Sequence, residues 1–200
     1  MSYALSIYLV DLDRVRNAIG SRDHDLPQMI GGRFRDEFAH ADEVFADRIA
    51  DGWPTRLEAV RAVVAGGPLH PEFAAQYAHA YQAICAFHGR PQDNSSFSPC
   101  RAGWLETVDD GLLELGISGI TLSDFGYPGL PAGLPTPEFA WGYSEWSAEE
   151  CAKLLAQWEQ TTPQRRSALQ RDVLEAITSC MGWARAARDV PGRGLAGFLA

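Results

Sequence analysis

Cys85 and His88 lie three residues apart on one predicted helix, on a stripe with Tyr77 and Tyr81. A thiol beside an imidazole is the minimum for nucleophilic catalysis. A plainer account also fits: Cys85 falls in the apolar arc, which suits a small hydrophobe, and His88 falls in the last turn, where an imidazolium favours the helix dipole. A second set of groups lies on residues 123–146, a stretch with four prolines, six aromatic residues and three acids. Asp124, Glu138 and Glu145, with Tyr127 and Tyr143, could form an acid and base pair in a nonpolar pocket, where burial raises a carboxyl pKa. The alternative is that Asp124 caps a turn while Glu138 and Glu145 face water at the ends of an edge strand.

His70, His79 and His88 recur every nine residues. Nine residues is two and a half helical turns, so His79 points away from the other two, and the outer pair stands about 27 Å apart. They cannot share an ion. With no H-E-x-x-H and no paired Cys-x-x-Cys, no metal site is expected. Gly126, Gly129 and Gly133 sit among prolines and make turns, not a phosphate cradle. No Gly-x-Ser-x-Gly, P-loop or dinucleotide fingerprint occurs, so no cofactor is implied and the sequence leaves open whether the protein is an enzyme.

The elements that must position these groups follow from periodicity. Residues 3–10 alternate as a strand buried on at least one side. After a short helix ending at Gly20, a helical piece starts at Ser21 and breaks at Gly31-Gly32. An acidic surface helix follows, with Phe34, Phe38, Ala41, Phe45 and Ile49 inward and Asp36, Glu37, Asp42, Glu43 and Asp47 outward. Thr55 and Glu58 make a capping box for a helix that stops at Gly66-Gly67. Pro71 opens a central helix to His88, whose one polar stripe, Glu72, Gln76, His79 and Gln82, is expected to meet water. A helix near 103–115 turns Trp104, Leu105, Val108 and Leu112 inward and Glu106, Asp109, Asp110 and Glu114 outward.

Pro128, Pro131, Pro135 and Pro137 forbid a helix in the aromatic segment, which reads as a lid or rim with hinge points at Gly126 and Gly133. Phe139, Trp141 and Tyr143 then alternate as a strand, Ser147 and Glu150 cap a helix, and a last helix runs from Pro163 to Val190-Pro191-Gly192. Residues 191–200 read as a loose tail. The strands at 3–10 and 139–146 are expected to pair in one small sheet within a helix-rich α+β fold, as a single domain over 1–200. Trp104, Tyr127, Phe139, Trp141, Tyr143 and Trp146 are the expected ligand-binding residues of an aromatic pocket.

Composition narrows the partners. Hydrophobic residues make up 46%, enough for a real core, and the net charge of −9 argues against a nucleic-acid partner, which needs a concentrated basic surface. Lys153 is the only lysine. The start has no basic n-region or cleavage site, and no apolar run approaches a membrane span, so a cytoplasmic protein with reduced cysteines is expected. Two readings stand. One is a binding protein, inhibitor-like or immunity-like, whose acidic helices cover a basic protein partner. The other is a cofactor-independent enzyme or sequestering protein for an apolar small molecule, working in the aromatic pocket.

The opening Met1-Ser2-Tyr3-Ala4-Leu5-Ser6-Ile7-Tyr8-Leu9-Val10-Asp11-Leu12-Asp13-Arg14, the Gly20-Ser21-Arg22-Asp23 segment, the Gly66-Gly67-Pro68-Leu69 turn and Phe139-Ala140-Trp141-Gly142-Tyr143 before a capped helix together resemble an uncharacterised family of bacterial proteins frequent in streptomycetes. The resemblance spans most of the chain, and its motifs are structural punctuation. The Gly-Tyr strand before a capped helix is more weakly similar to the YfbM-like bacterial proteins. Neither resemblance implies a catalytic residue or an activity.

Overall fold

The computed structural model describes residues 2–138 and 141–200. In chain order its elements are β1 (Ser2–Tyr3), β2 (Leu5–Val10), α1 (Leu12–Ala18), α2 (Leu26–Arg33), α3 (Arg35–Val44), α4 (Ala46–Ala50), α5 (Arg56–Ala65), α6 (Ala74–His88), β3 (Arg90–Pro91), β4 (Cys100–Arg101), α7 (Trp104–Glu114), β5 (Gly142–Trp146), α8 (Ala148–Gln160), α9 (Pro163–Ala168), α10 (Arg171–Asp189) and β6 (Gly194–Leu199). The fold is α+β and rich in helix, as expected. Its contacts gather into two compact units that alternate along the sequence. One takes Met1–Leu12, Arg90–Tyr127 and Gly142–Ala200; the other takes Asp13–Gly89 and Pro128–Trp141.

The first unit is built on an antiparallel sheet of order β3-β2-β6-β5. Strand β2 owes its place to alternation: Leu5, Ile7 and Leu9 are buried, with Ser6 and Tyr8 only half covered. Tyr3 belongs to a separate short strand, β1, which pairs with β4 instead. The expected partnership of residues 3–10 with 139–146 is corrected in one respect. Both lie in one sheet, but they do not touch as neighbours, because β6 runs between them.

The loose tail expected at 191–200 is therefore wrong. Gly194 to Phe198 are all buried, since a strand with partners on both edges and packing on both faces keeps an almost wholly apolar run out of water. Gly197 faces Ile7 on one side and Ser144 on the other. The Phe125 ring lies over it so closely that a Cβ there would stand 2.2 Å from the ring. Only glycine admits that approach.

Behind the sheet, Val108 and Leu112 of α7, Leu154 and Leu155 of α8, and Ile177 and Met181 of α10 share one core with Phe97, Trp146 and Trp183. Side chains of this size contribute roughly 1.5–3 kcal/mol each on full burial. The Ser147–Glu150 capping box opens α8 as expected. The helix expected from Pro163 is two, because Leu169 and Gln170 turn extended between α9 and α10.

The second unit centres on α5 and α6, with α2 packed against both. Val60, Val63 and Val64 of α5 and Tyr77, Tyr81 and Ile84 of α6 are all buried in its interior. Helix α5 is bounded as its sequence dictates, by the Thr55–Glu58 box and by Gly66 in the left-handed region. Helix α2 starts at Leu26 instead of Ser21 and runs through Gly31-Gly32 without breaking. A Cβ at Gly31 would come within 2.9 Å of Leu57, so that glycine serves the close passage of α2 over α5. The break falls at Phe34.

The proline-rich segment, read as a lid or rim, is held by buried side chains. Phe125, on a single 3-10 turn at Ser123–Gly126, is fully buried in the first unit, while Leu134 and Trp141 are buried in the second. The strand expected from 139 begins at Gly142, where a Cβ would collide with the Phe125 carbonyl.

Candidate functional site

The six aromatic residues expected to line one pocket are distributed as follows. Trp146 is in the core of the first unit, with Phe125 at 5.4 Å and Trp183 at 6.2 Å between ring centroids. Trp104 sits at the edge of that core, donates its indole N–H to the Ser96 carbonyl at 2.9 Å, and lines a cleft of about 210 Å³ with Tyr3, Cys100 and Leu199. Tyr143 packs on Phe198 and gives its hydroxyl hydrogen bond to Glu145, two residues along the same strand face. Tyr127 is 65% exposed. Trp141 belongs to the second unit, and Phe139 lies outside the described residues.

The catalytic candidates differ in burial. Asp124 and Glu138 are exposed, and Glu145 is half-buried on β5. Cys85 is wholly buried in the α6 core, whereas His88 lines a surface cleft with Arg14, Asn17, Phe87 and others, to which Cys85 does not contribute. All four cysteines are reduced and buried. Asp109, expected outward, is half-buried instead: its two oxygens accept the backbone N–H groups of Leu122 and Ser123 at 2.7 and 2.9 Å. Burial pushes its carboxyl above the usual range against the pull of those bonds. Among the described residues no group of three or more His, Cys, Asp or Glu could hold a metal ion, and no helix is long and apolar enough to cross a membrane.

Two features of the second unit stand out from this background. The first is α3 with α4, neither of which contains a buried residue. Their apolar stripe is the expected one, but Phe34, Phe38, Ala41 and Ile49 are only half covered, Phe45 is 36% exposed and Val44 is 65% exposed. Polar tethers hold the segment. Asp42 accepts the Arg56 backbone N–H at 2.9 Å at the start of α5, and arginines lie over rings: Arg33 over Phe34, Arg48 over Trp53 and Arg56 over Phe45. Asp36, Glu37, Glu43, Asp47 and Asp51 are exposed around the stripe.

The second feature lies under that segment, and sequence reasoning missed it. Arg56 is 7% exposed and Gln76 is 3% exposed; the guanidinium donates to the Gln76 side-chain carbonyl at 2.5 Å. His79, one turn further along α6, sets its ring edge-on to Trp141 at 4.4 Å. Burial first, and the Arg56 charge second, push its imidazole down to about 3, so it is neutral throughout the physiological range. Of the stripe expected to meet water, Glu72 is exposed and Gln82 half-covered, but Gln76 is buried and His79 is largely covered, and for these two the expectation is corrected. They turn inward because Arg56 brings a charge into the interior that must be satisfied, and the one available signal was an arginine placed directly after the Thr55 cap, ahead of the apolar face of α5.

No curated protein matches the chain and no solved structure matches it. Over residues 1–200 the sequence matches the family described as Domain of unknown function (DUF7691), and the chain belongs to that family.

Proposed function

We propose that this protein is a non-catalytic binding protein that docks a basic protein partner on the face formed by α3 and α4, as an inhibitor or immunity protein does. The observation that carries the reading is an amphipathic helical segment with no buried residue. Such a helix ordinarily buries its apolar stripe. Here Val44 and Phe45 stay in contact with water inside a ring of acids, and residues 36–51 carry six acids against one arginine. An exposed apolar patch rimmed by one sign of charge fits a partner with an apolar recess and Lys or Arg at its margin. The reading places the protein in the cytoplasm of a streptomycete-type bacterium.

The test is affinity capture from the native host with the full chain, at low and high salt, beside a Glu37→Arg/Glu43→Arg/Asp47→Arg variant. These three side chains are exposed, so the variant keeps its fold. The expected result is an identified basic protein, retained at low salt, released by high salt and lost with the variant. A partner retained equally by the variant, or no partner at all, overturns the reading.

A further inference from the structure

Helices α2 and α5 of the second unit flank a cleft of about 450 Å³ that no reading above uses. Its floor is apolar, from Pro27, Val64 and Ala65. Its rim carries more cations than acids: Arg22 and Arg61 reach it with His24 and the Gln28 amide, and Asp23 is the one acid of the lining. In a chain of net charge −9 that concentration is unusual. Among the described residues neither guanidinium makes an ion pair or a side-chain hydrogen bond. Of the two acids nearest in sequence, Asp23 shares the cleft and Glu58 feels the Arg61 charge, but each spends its oxygens on hydrogen bonds within its own segment. Asp23 accepts the backbone N–H groups of Asp25 and Leu26 at 3.0 and 3.2 Å at the start of α2, and Glu58 accepts from the Thr55 N–H and hydroxyl in the capping box.

The wall that carries Arg22 is fixed by the end of α5. Gly20 and Arg22 donate their backbone N–H groups to the Val63 and Val64 carbonyls, both at 2.9 Å, and Gly20 and Gly66 approach so closely that a Cβ on Gly66 would stand 3.0 Å from the Gly20 Cα. These bonds satisfy the last carbonyls of α5, so the arginines are not needed to cap it. Arg22 has φ +59, the one described residue other than glycine in the left-handed region.

We propose that this cleft binds a small monocarboxylate with an apolar body. A guanidinium fork matches a carboxylate in geometry and charge, and the floor shields the body from water. The volume lies within the range of small-molecule sites. The net negative charge of the whole chain weighs against polyanions such as polyphosphates, which it repels at distance. The inference is independent of the docking face, since it uses none of the residues of α3 or α4.

Titration calorimetry and thermal melting of the full chain test it with octanoate and acetate up to about 10 mM, where even a millimolar site fills, and with octan-1-ol and octanoate compared at about 2 mM, within the solubility of the alcohol. Octanoate is expected to bind and raise the melting point, with the alcohol and acetate each at least about tenfold weaker. Arg61→Gln and Arg22→Gly are each expected to weaken octanoate at least about tenfold. Glycine takes the backbone angle of residue 22 freely, so Arg22→Gly should melt no lower than the parent without ligand. The proposal is overturned if octanoate fails to bind, if octanol binds as well as octanoate, if acetate does, or if the folded arginine variants bind octanoate unchanged.

Discussion

Replacing His79 by phenylalanine should remove a defined part of the acid sensitivity of this protein. An unfolded histidine titrates near 6.5, whereas His79 in the fold is pushed down to about 3 by burial and by Arg56. The folded state therefore refuses a proton that the unfolded state accepts. Stability from this group is full above pH 6.5 and is lost as the pH falls from there toward 3. Between pH 7.5 and 5.0 the loss is about 2 kcal/mol, trimmed toward about 1.5 by the part of the ring that water still reaches. With a urea dependence of about 2 kcal/mol per molar, the midpoint of the parent should drop by up to about 1 M more than that of His79→Phe over the same interval. Phenylalanine keeps a ring against Trp141, and comparing each protein with itself at two pH values cancels any constant cost of the substitution. Tryptophan fluorescence follows the transition, since Trp141 packs on the substituted ring. Equal pH dependence in the two proteins, or a proton titration of His79 near 6.5 by NMR, would refute the reasoning.

Gly197→Ala places a methyl group into the Phe125 ring and should cost about 1–3 kcal/mol by overpacking, read as a lowered urea midpoint; an unchanged midpoint would mean that Phe125 has another place to go. Gln76→Leu removes the carbonyl that accepts from the buried Arg56 guanidinium and should cost about 1–3 kcal/mol, and Arg56→Met in the same chain should recover part of that loss if the two groups act as a pair. Ending the chain after Arg193 deletes β6 and should abolish the folded first unit, seen as lost near-ultraviolet circular dichroism; a tail of no consequence would leave that signal intact.

Local rules carried much of the fold. Both capping boxes, the inward faces of α7, α8 and α10, and the alternation of β2 are properties of a few neighbouring residues, and sequence holds those directly. The failures lie where distant segments decide. Gly194 to Leu199 reads as a tail because Pro191-Gly192 ends the helix before it, and nothing local reveals that β2 and β5 leave a gap of one strand. Gly31 reads as a helix breaker because its role depends on Leu57, which lies on another helix. The same holds at the sites. Arg56, Gln76 and His79 are ordinary polar residues in their own windows, and only packing brings them together. The cleft rimmed by Arg22 and Arg61 joins a loop to a helix end some forty residues away.

The position of β6 has a consequence for how the protein is made. Translation delivers β2 well before β5, yet the strand that joins them follows every other described element. While the chain emerges, the inner edges of β2 and β5 have no partner, and the apolar sides of α7, α8 and α10 have an incomplete surface to close on. Asp13–Gly89, by contrast, holds α5 and α6 in one continuous run and can begin to assemble early. The nascent first unit thus waits with open strand edges, the state that chaperones recognise and that aggregates when they are scarce. Expression should be most sensitive to slow translation or premature termination at the codons of residues 190–199, and a nascent chain halted there would have its helices in place and still lack the strand at its centre.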